Sequence, residues 1–596
     1  MFQTFTPSTS PDQSPPRLAA LRDELKKEGV DAFLVPRADR FQGEYVAPCD
    51  DRLAWLTGFT GSAGFAVVSG KVTALFVDSR YTLQADAQTP GEITILPWPK
   101  TQLSDWLKDE IGRGKIAYDP WLHTESQIRK LNEAFEDTGL SLLEIDNLID
   151  RIWPDQPDAP DARFSAYPAN LAGKSHDDKR AEITEALRDA GQKQALITLP
   201  DSIAWLLNIR GSDIPRNPVP HAMAILHDNG AVDLFATHSK TTEIASHLGP
   251  DVAVHDPGAL INHLKTLDGP LRIDPDSAPK ILFQSVEKAG VSIEEAPDPV
   301  LLPKAKKNPT ELQNTREAHL RDAAAVTAFL AWLDAQPIGS IDEITAVKEL
   351  EQRRRASGQL LDISFETIAG TGPNGAIVHY RVTEETNRQT ADGDLLLVDS
   401  GGQYIDGTTD ITRTIPIGAP SDDKRKTYTA VLQGVIAISL ARFPQGTAGR
   451  DLDPLARAAL RRMGKDYGHG TGHGVGVYLS VHEGPQRIAS TSGIALEKGM
   501  ILSNEPGYYE EGAYGIRLEN LVAVTPDSQD DWLAFETLTF VPFDRRLIDT
   551  AILAPFERDW IDAYHAETKG KVMPRLASDE ARAWLEKATR PLTDPA

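Results

Sequence analysis

The chain is nearly devoid of cysteine. Cys49 is the one cysteine in 596 residues, so no intrachain disulfide can form; this rules out a disulfide-stapled scaffold and fits a reducing compartment. Long apolar runs are also missing. The most apolar stretch, from Val431 to Ala441, is broken by Gln433 and Gly434 and falls well short of the ~20 residues that span a bilayer. Positive charge is in deficit: 62 Lys and Arg stand against 87 Asp and Glu, a formal net charge of −25. That argues against a nucleic-acid or anionic-membrane partner, because both need clustered cations. The opening MFQTFTPSTSPDQSPP has neither the apolar core and basic start of a secretory signal nor the arginines of a transit peptide. Its Pro, Ser, Thr and Gln content predicts a disordered tail over residues 1–16. Together these absences predict a soluble protein and fit a reducing compartment such as the cytoplasm.

What is present is globular: 40% hydrophobic and 25% charged residues. At roughly 150 residues per domain, this length implies about two to four domains. Leu18, Leu21 and Leu25 are spaced for an amphipathic helix beginning near Arg17. Short apolar runs bounded by Gly, Pro or Asp follow it, such as AFLVP (32–36), GFAVVSG (64–70) and TALFVD (73–78), and read as strands. A second cycle starts near Lys179, with ALITLP (195–200), MAILHD (223–228) and VDLFAT (232–237). LAWLTGFTGS (53–62) and IAWLLNIRGS (203–212) occupy matching places in the two cycles, which points to duplication. The expectation is an α/β (α+β) protein with two related N-terminal α/β domains, 17–165 and 166–303. The segment LLPKAKKNP (301–309) reads as a linker. A C-terminal domain, 304–596, then begins with a helix from Thr310, its expected N-cap, to about Asp334. A strand- and glycine-rich segment from Ile363 to Phe540 follows, and helical pattern returns at 557–565 and 578–590.

The chemistry concentrates in that last domain. LLLVDSGGQYIDGTTDITRTI (395–415) reads as two strands joined by a turn through Gly401 and Gly402, with Asp399 ending the first and Asp410 on the second. A carboxylate at a buried strand end is costly unless a cation or donor satisfies it. In YGHGTGHGVG (467–476) His469 and His473 have the i,i+4 spacing of helical zinc sites, but the intervening glycines argue against a helix. They imply backbone that must approach something closely. Glu505 in SNEPGYY (503–509) and Glu519 in GIRLEN (515–520) add two carboxylates. Each alone reads as a surface or turn residue. As a set, Asp399, Asp410, His473, Glu505 and Glu519 match two divalent cations, and oxygen-rich ligation favours harder ions such as Mn²⁺. Two metals ~3.5–4 Å apart activate a water and clamp a carbonyl oxygen, which is hydrolytic equipment. No G-x-S-x-G elbow is present, and Cys49 lies far from this cluster in sequence.

Along nearly its whole length the chain resembles the aminopeptidase P (Xaa-Pro aminopeptidase) family, of the long three-domain cytosolic type. The resemblance is carried by GEYVAPCD (43–50), VDSRY (77–81), IAWLLNIRGSDIPRNPV (203–219), TGPNGAIVHY (371–380), VDSGGQYIDGTTDITRT (398–414), GHGTGHGVG (468–476), VHEGP (481–485), NEPGYY (504–509), GIRLEN (515–520) and the tail segments LTFVP, DWIDAYH and WLEKATRPL. It implies a catalytic domain of the pita-bread fold. By the same resemblance Asp399 binds one metal, Asp410 and Glu519 bridge both, and His473 and Glu505 complete the second site. Manganese is the implied cofactor. His379 and His482 correspond to substrate-contacting histidines, and His469 to a further histidine near the site. Arg517 is implied to support the carboxylates or the substrate. Arg80 matches a substrate-contacting arginine, with a structural ion pair as its alternative. Glu505 is the expected proton shuttle. Residues such as Tyr380 are candidates to line a pocket for proline, which as the second residue of the substrate makes the scissile bond a tertiary amide without N–H. A homodimer is implied as well. The alternatives are a prolidase-like dipeptidase and, from a different class, a non-catalytic peptide-binding pita-bread module.

Overall fold

The computed structural model describes residues 1–593. The chain forms two compact units, Ser8–Lys304 and Met1–Pro7 together with Ala305–Ala596.

The Ser8–Lys304 unit contains two six-stranded sheets. In the first the strand order is Ile93–Pro97, Thr73–Val77, Phe65–Ser69, Ala32–Pro36, Arg113–Tyr118, Gly139–Glu144. In the second it is Val252–His255, Val232–Phe235, Met223–His227, Gln194–Ile197, Leu271–Ile273, Ile293–Glu295. From one edge to the other both sheets run parallel, antiparallel, antiparallel, parallel, parallel. The two matched LAWL/IAWL segments form the short helices Arg52–Thr57 and Pro200–Leu206, each following the first strand of its sheet. Identical order and direction make the duplication a property of the fold.

Residues 1–16 correct the expectation of a disordered tail. The helix starts at Ser14, three residues earlier than expected, because Pro15 and Pro16 occupy its first turn, where a missing N–H costs nothing. Leu18, Leu21 and Leu25 face the core, and the helix ends at Gly29 with φ 65°. The first residues belong to the other unit. Gln3 donates to the Thr367 carbonyl and accepts from the Thr367 N–H, and Phe5 packs with Ile344, Val347 and Tyr380. Composition misjudged this segment because its apolar partners lie more than 300 residues away.

The second unit opens on the helix Pro309–Asp334, and its cap corrects another expectation. Asn308, not Thr310, is the N-cap: its Oδ1 accepts from the N–H of Thr310 and Glu311 at 2.9 and 3.0 Å, and Glu311 returns a bond to the Asn308 N–H at 2.9 Å. Nor is 301–309 a simple linker. It contains the helix Leu301–Ala305 and two buried lysines, Lys304 paired with Asp201 and Lys307 paired with Glu483. The strand-rich segment includes two helices that its glycines had obscured, Asp422–Ser439 and Gly449–Arg462. Gly434 marks where they meet, since a Cβ there would stand 2.4 Å from the Ala456 carbonyl oxygen. Around these helices lie a three-stranded sheet (Ile368–Thr371, Leu395–Ser400, Ile411–Pro416) and a six-stranded one (Arg442–Pro444, Trp532–Thr537, Asn520–Pro526, Ile501–Asn504, Gly472–Gly474, Glu483–Ile488). Two helices, Pro555–Val572 and Asp579–Ala588, close the described chain. Among the described residues no helix is long and apolar enough to cross a membrane.

Candidate metal centre

Two ladders deliver the acidic side chains. Leu395–Ser400 pairs antiparallel with Ile411–Pro416, Asp399 opposite Thr412, and Asp410 immediately precedes the second strand. The expected turn at Gly401–Gly402 is instead an extended arm: Gly402–Tyr404 pairs with Gly407–Thr408, and the chain reverses at Ile405–Asp406. Gly401 allows a close approach, because a Cβ there would lie 1.9 Å from the Thr409 carbonyl oxygen. In the six-stranded sheet Asn504 faces Asn520, so Glu505 and Glu519 leave the same end of one antiparallel pair.

His473 sits mid-strand in Gly472–Gly474, between Glu483–Ile488 and Ile501–Asn504. Its Nδ1 donates to the Gly474 carbonyl at 2.9 Å, which leaves Nε2 as the lone-pair atom. That atom lies 3.5 Å from both Asp410 Oδ2 and Glu505 Oε1. Ser503 ties the pieces together, its Oγ accepting from the His473 N–H at 2.9 Å and donating to Glu505 Oε1 at 3.1 Å. The flanking glycines now have a reason. A Cβ on Gly472 would stand 1.9 Å from the Ser503 carbonyl oxygen, and one on Gly474 2.3 Å from that of Glu483. Gly472→Ala is therefore expected to push the His473 strand off its neighbour, lowering stability by about 1–3 kcal/mol and weakening metal uptake. Thermal denaturation with and without Mn²⁺ reads both effects.

Ligand atoms of Asp410, His473 and Glu519 all lie within 4.8 Å of one another. Asp399, Asp410 and Glu519 are at most 8% exposed, and each has one buried oxygen (Oδ1, Oδ1 and Oε1) without a hydrogen-bond partner. Burial, followed by the charges of Asp399 and Glu505, pushes the Asp410 carboxyl well above the usual range. Burial, followed by Asp410, Asp399 and Glu505, does the same to Glu519, against one bond from Thr412 Oγ1 at 2.9 Å. Crowded like charges, orphaned oxygens and an aimed imidazole lone pair fit divalent cations, which would satisfy all three at once.

Behind this cluster a chain of hydrogen bonds joins Arg517 and His469, both expected near the site, through Tyr509, which the sequence did not single out. Arg517, 1% exposed, donates Nη2 to Asp399 Oδ2 at 2.6 Å and Nη1 to the Tyr509 hydroxyl at 2.7 Å. Tyr509 in turn meets His469 Nε2 at 2.8 Å, while His469 Nδ1 donates to the Gly470 carbonyl at 2.7 Å. His469 therefore reaches the carboxylates through Tyr509 and Arg517. Tyr509 was legible only as part of NEPGYY, where nothing local separates it from Tyr508. Burial raises its hydroxyl to about 12, so it stays a neutral donor.

His482 packs edge-on against His473, ring centroids 4.3 Å apart at 77°. His379 is half-buried on the loop after the turn Gly372–Ala376. Tyr380 does not present its hydroxyl to a pocket: it is 4% exposed and donates to Glu343 Oε2 at 2.9 Å. Arg80 belongs to the Ser8–Lys304 unit and grips Asp78 with Nε and Nη2 at 2.9 and 2.6 Å, which is the structural ion pair named as its alternative.

The metallopeptidase family M24 pattern matches residues 313–526, and that family's C-terminal region matches 531–592. The creatinase/prolidase N-terminal domain matches twice, at 17–152 and 155–311. The chain is 39% identical to a probable Xaa-Pro aminopeptidase P of Coccidioides posadasii, over 99% of this chain and 95% of the relative. The structure superposes with a TM-score of 0.92 on an X-prolyl aminopeptidase of Caenorhabditis elegans, described as a cytosolic enzyme with a di-nuclear active site, at 30% identity over 97% and 99% of the two chains. An Xaa-Pro dipeptidase of Bacillus anthracis shares the fold at TM-score 0.52 and 24% identity, covering 62% of this chain and 99% of its own.

Proposed function

The chain belongs to the aminopeptidase P family of pita-bread metallopeptidases, and on that premise we propose that it hydrolyses the bond between an N-terminal residue and a following proline. The observation that carries this reading is the meeting of Asp399, Asp410, His473, Glu505 and Glu519 around unsatisfied carboxylate oxygens. Those five side chains would hold two divalent cations, with Mn²⁺ favoured by the oxygen-rich donor set. When bound, such a pair supplies an activated water and polarises the scissile carbonyl.

The chain's own groups do the rest. Glu505, oriented by the Ser503 hydroxyl, accepts the proton of the attacking water and delivers it to the leaving proline nitrogen, which has none of its own. His482 and His379 donate to the oxygen on which charge develops. Arg517 fixes the Asp399 carboxylate, and Tyr509 and His469 fix Arg517. Tyr509→Phe removes one link of that chain while keeping the ring. It is expected to lower kcat/KM by about 10-fold with little change in thermal stability, as steady-state kinetics and a melting curve would register.

The dipeptidase reading is the enzymatic rival. The B. anthracis dipeptidase has no counterpart to more than a third of this chain, which favours the aminopeptidase. With Mn²⁺ present, Arg-Pro-Pro is expected to be cleaved well and Gly-Pro poorly; cleavage confined to Gly-Pro would establish the dipeptidase instead. A homodimer and a cytoplasmic setting complete the proposal. The first is supported by family resemblance, the second by the cytosolic description of the C. elegans enzyme and the single cysteine.

A further inference from the structure

A second cluster of metal-binding side chains lies in the other unit, within the second six-stranded sheet. Its centre is Asp233, on the strand Val232–Phe235. Three imidazoles converge on that one carboxylate: His255 Nε2 is 2.7 Å from Oδ1, and His227 Nε2 and His263 Nε2 are 2.8 and 3.0 Å from Oδ2. The ligand atoms of Asp233, His255 and His263 all lie within 4.8 Å of one another.

The ladder explains the convergence. Asp233 faces Ile225 on one neighbouring strand and Ala253 on the other. Side chains alternate along a strand, so His227 and His255, two residues on, share the face of Asp233. Helix Leu260–Leu264 contributes His263. Phe235, two residues from Asp233 on the same face, is 2% exposed and packs its ring against His255 and His263 at 5.3 and 5.4 Å between centroids. The four polar side chains themselves are 16–31% exposed, so the group is reachable from solvent and backed by an apolar wall.

From this geometry we infer that His227, Asp233, His255 and His263 form a binding site for a divalent transition-metal cation, of the zinc class, separate from the catalytic centre. Three imidazoles, one carboxylate and no thiolate suit zinc, copper or nickel better than manganese or magnesium. Bonds of ~2.0–2.1 Å place tetrahedral ligands about 3.3 Å apart. The ligand atoms of Asp233, His255 and His263 already fall within 4.8 Å of one another, and His227, bonded to Asp233 at 2.8 Å but outside that trio, swings in as the fourth ligand. Each neutral ring gives up its Nε2–H bond to Asp233, its single proton passing through solvent to Nδ1, so that the Nε2 lone pair is free for the metal. The site joins three strands and a helix, so the cation cross-links the edge of this sheet to Leu260–Leu264. That is a structural role, independent of peptide hydrolysis.

The test uses the full chain, stripped of metal, exposed to Zn²⁺ and freed of excess by gel filtration. Compared with the double variant His255→Asn/His263→Gln, the parent is expected to retain one more zinc equivalent by atomic emission. Activity in Mn²⁺ is expected to match in the two proteins, and the added increment in melting temperature that zinc gives the parent is expected to vanish in the variant. Equal zinc in the two proteins overturns the assignment. If the variant fails to fold, a zinc-edge anomalous difference map of the unaltered chain decides: a peak among the three imidazoles supports the site, and no peak there at a zinc level that fills the catalytic centre overturns it.

Discussion

Asp410→Ala is expected to lose at least ~100-fold in Arg-Pro-Pro turnover, the scale of losing metal-based activation of water, and to retain less Mn²⁺ than the parent. The reason is position. Asp410 lies between the His473 lone pair, 3.5 Å away, and the remaining carboxylates, whose charges act on it directly. Removing it takes away a donor that faces both halves of the cluster. It also relieves repulsion in the metal-free state, because burial and like charges already disfavour an ionised Asp410. The metal-free variant should therefore melt no lower than the metal-free parent, while its gain in melting temperature on adding Mn²⁺ shrinks. A variant that melts much lower without metal would mean that Asp410 serves the fold rather than the cations.

Arg517→Met should behave in the opposite sense. Arg517 is buried and bonds Asp399 at 2.6 Å, in the midst of the other carboxylates. Breaking a buried pair by removing one partner typically costs about 3–5 kcal/mol, because the other charge is left uncompensated. The variant is expected to be strongly destabilised without metal and substantially rescued by saturating Mn²⁺, which replaces the missing positive charge. Activity should fall about 10–100-fold, the usual range for losing a group that orients a metal ligand. Denaturant titrations at zero and saturating Mn²⁺ separate the two contributions. Equal destabilisation in both conditions would show that Arg517 acts through packing alone.

The sequence discloses this protein unevenly, for physical reasons. Strand periodicity and the LAWL/IAWL match were enough to foresee the two related α/β domains, since local pattern and burial agree there. The five metal-type side chains stood out only as a set, because four carboxylates and an imidazole on apolar strands and between glycines together demand an external partner that none of them demands alone. What was hidden depends on distant chain. Phe5 and Gln3 look like tail residues until Thr367 and Tyr380 are placed beside them. Tyr509 and Ser503 hold the centre through bonds to Arg517 and His473, which no spacing reveals. The two helices Asp422–Ser439 and Gly449–Arg462 were masked by glycines whose purpose is close packing. The histidines around Asp233 are spread over 37 residues, from His227 to His263, and only strand pairing gathers them.

The central claim is that four carboxylates and one imidazole between positions 399 and 519 share a pair of cations. A manganese-edge anomalous difference map from crystals grown with Mn²⁺ tests it most directly. Two peaks ~3.5–4 Å apart, flanked by Asp410 and Glu519, are the expected result. A map with no peak there at saturating Mn²⁺, or with a single ion touching neither Asp410 nor Glu519, would contradict it.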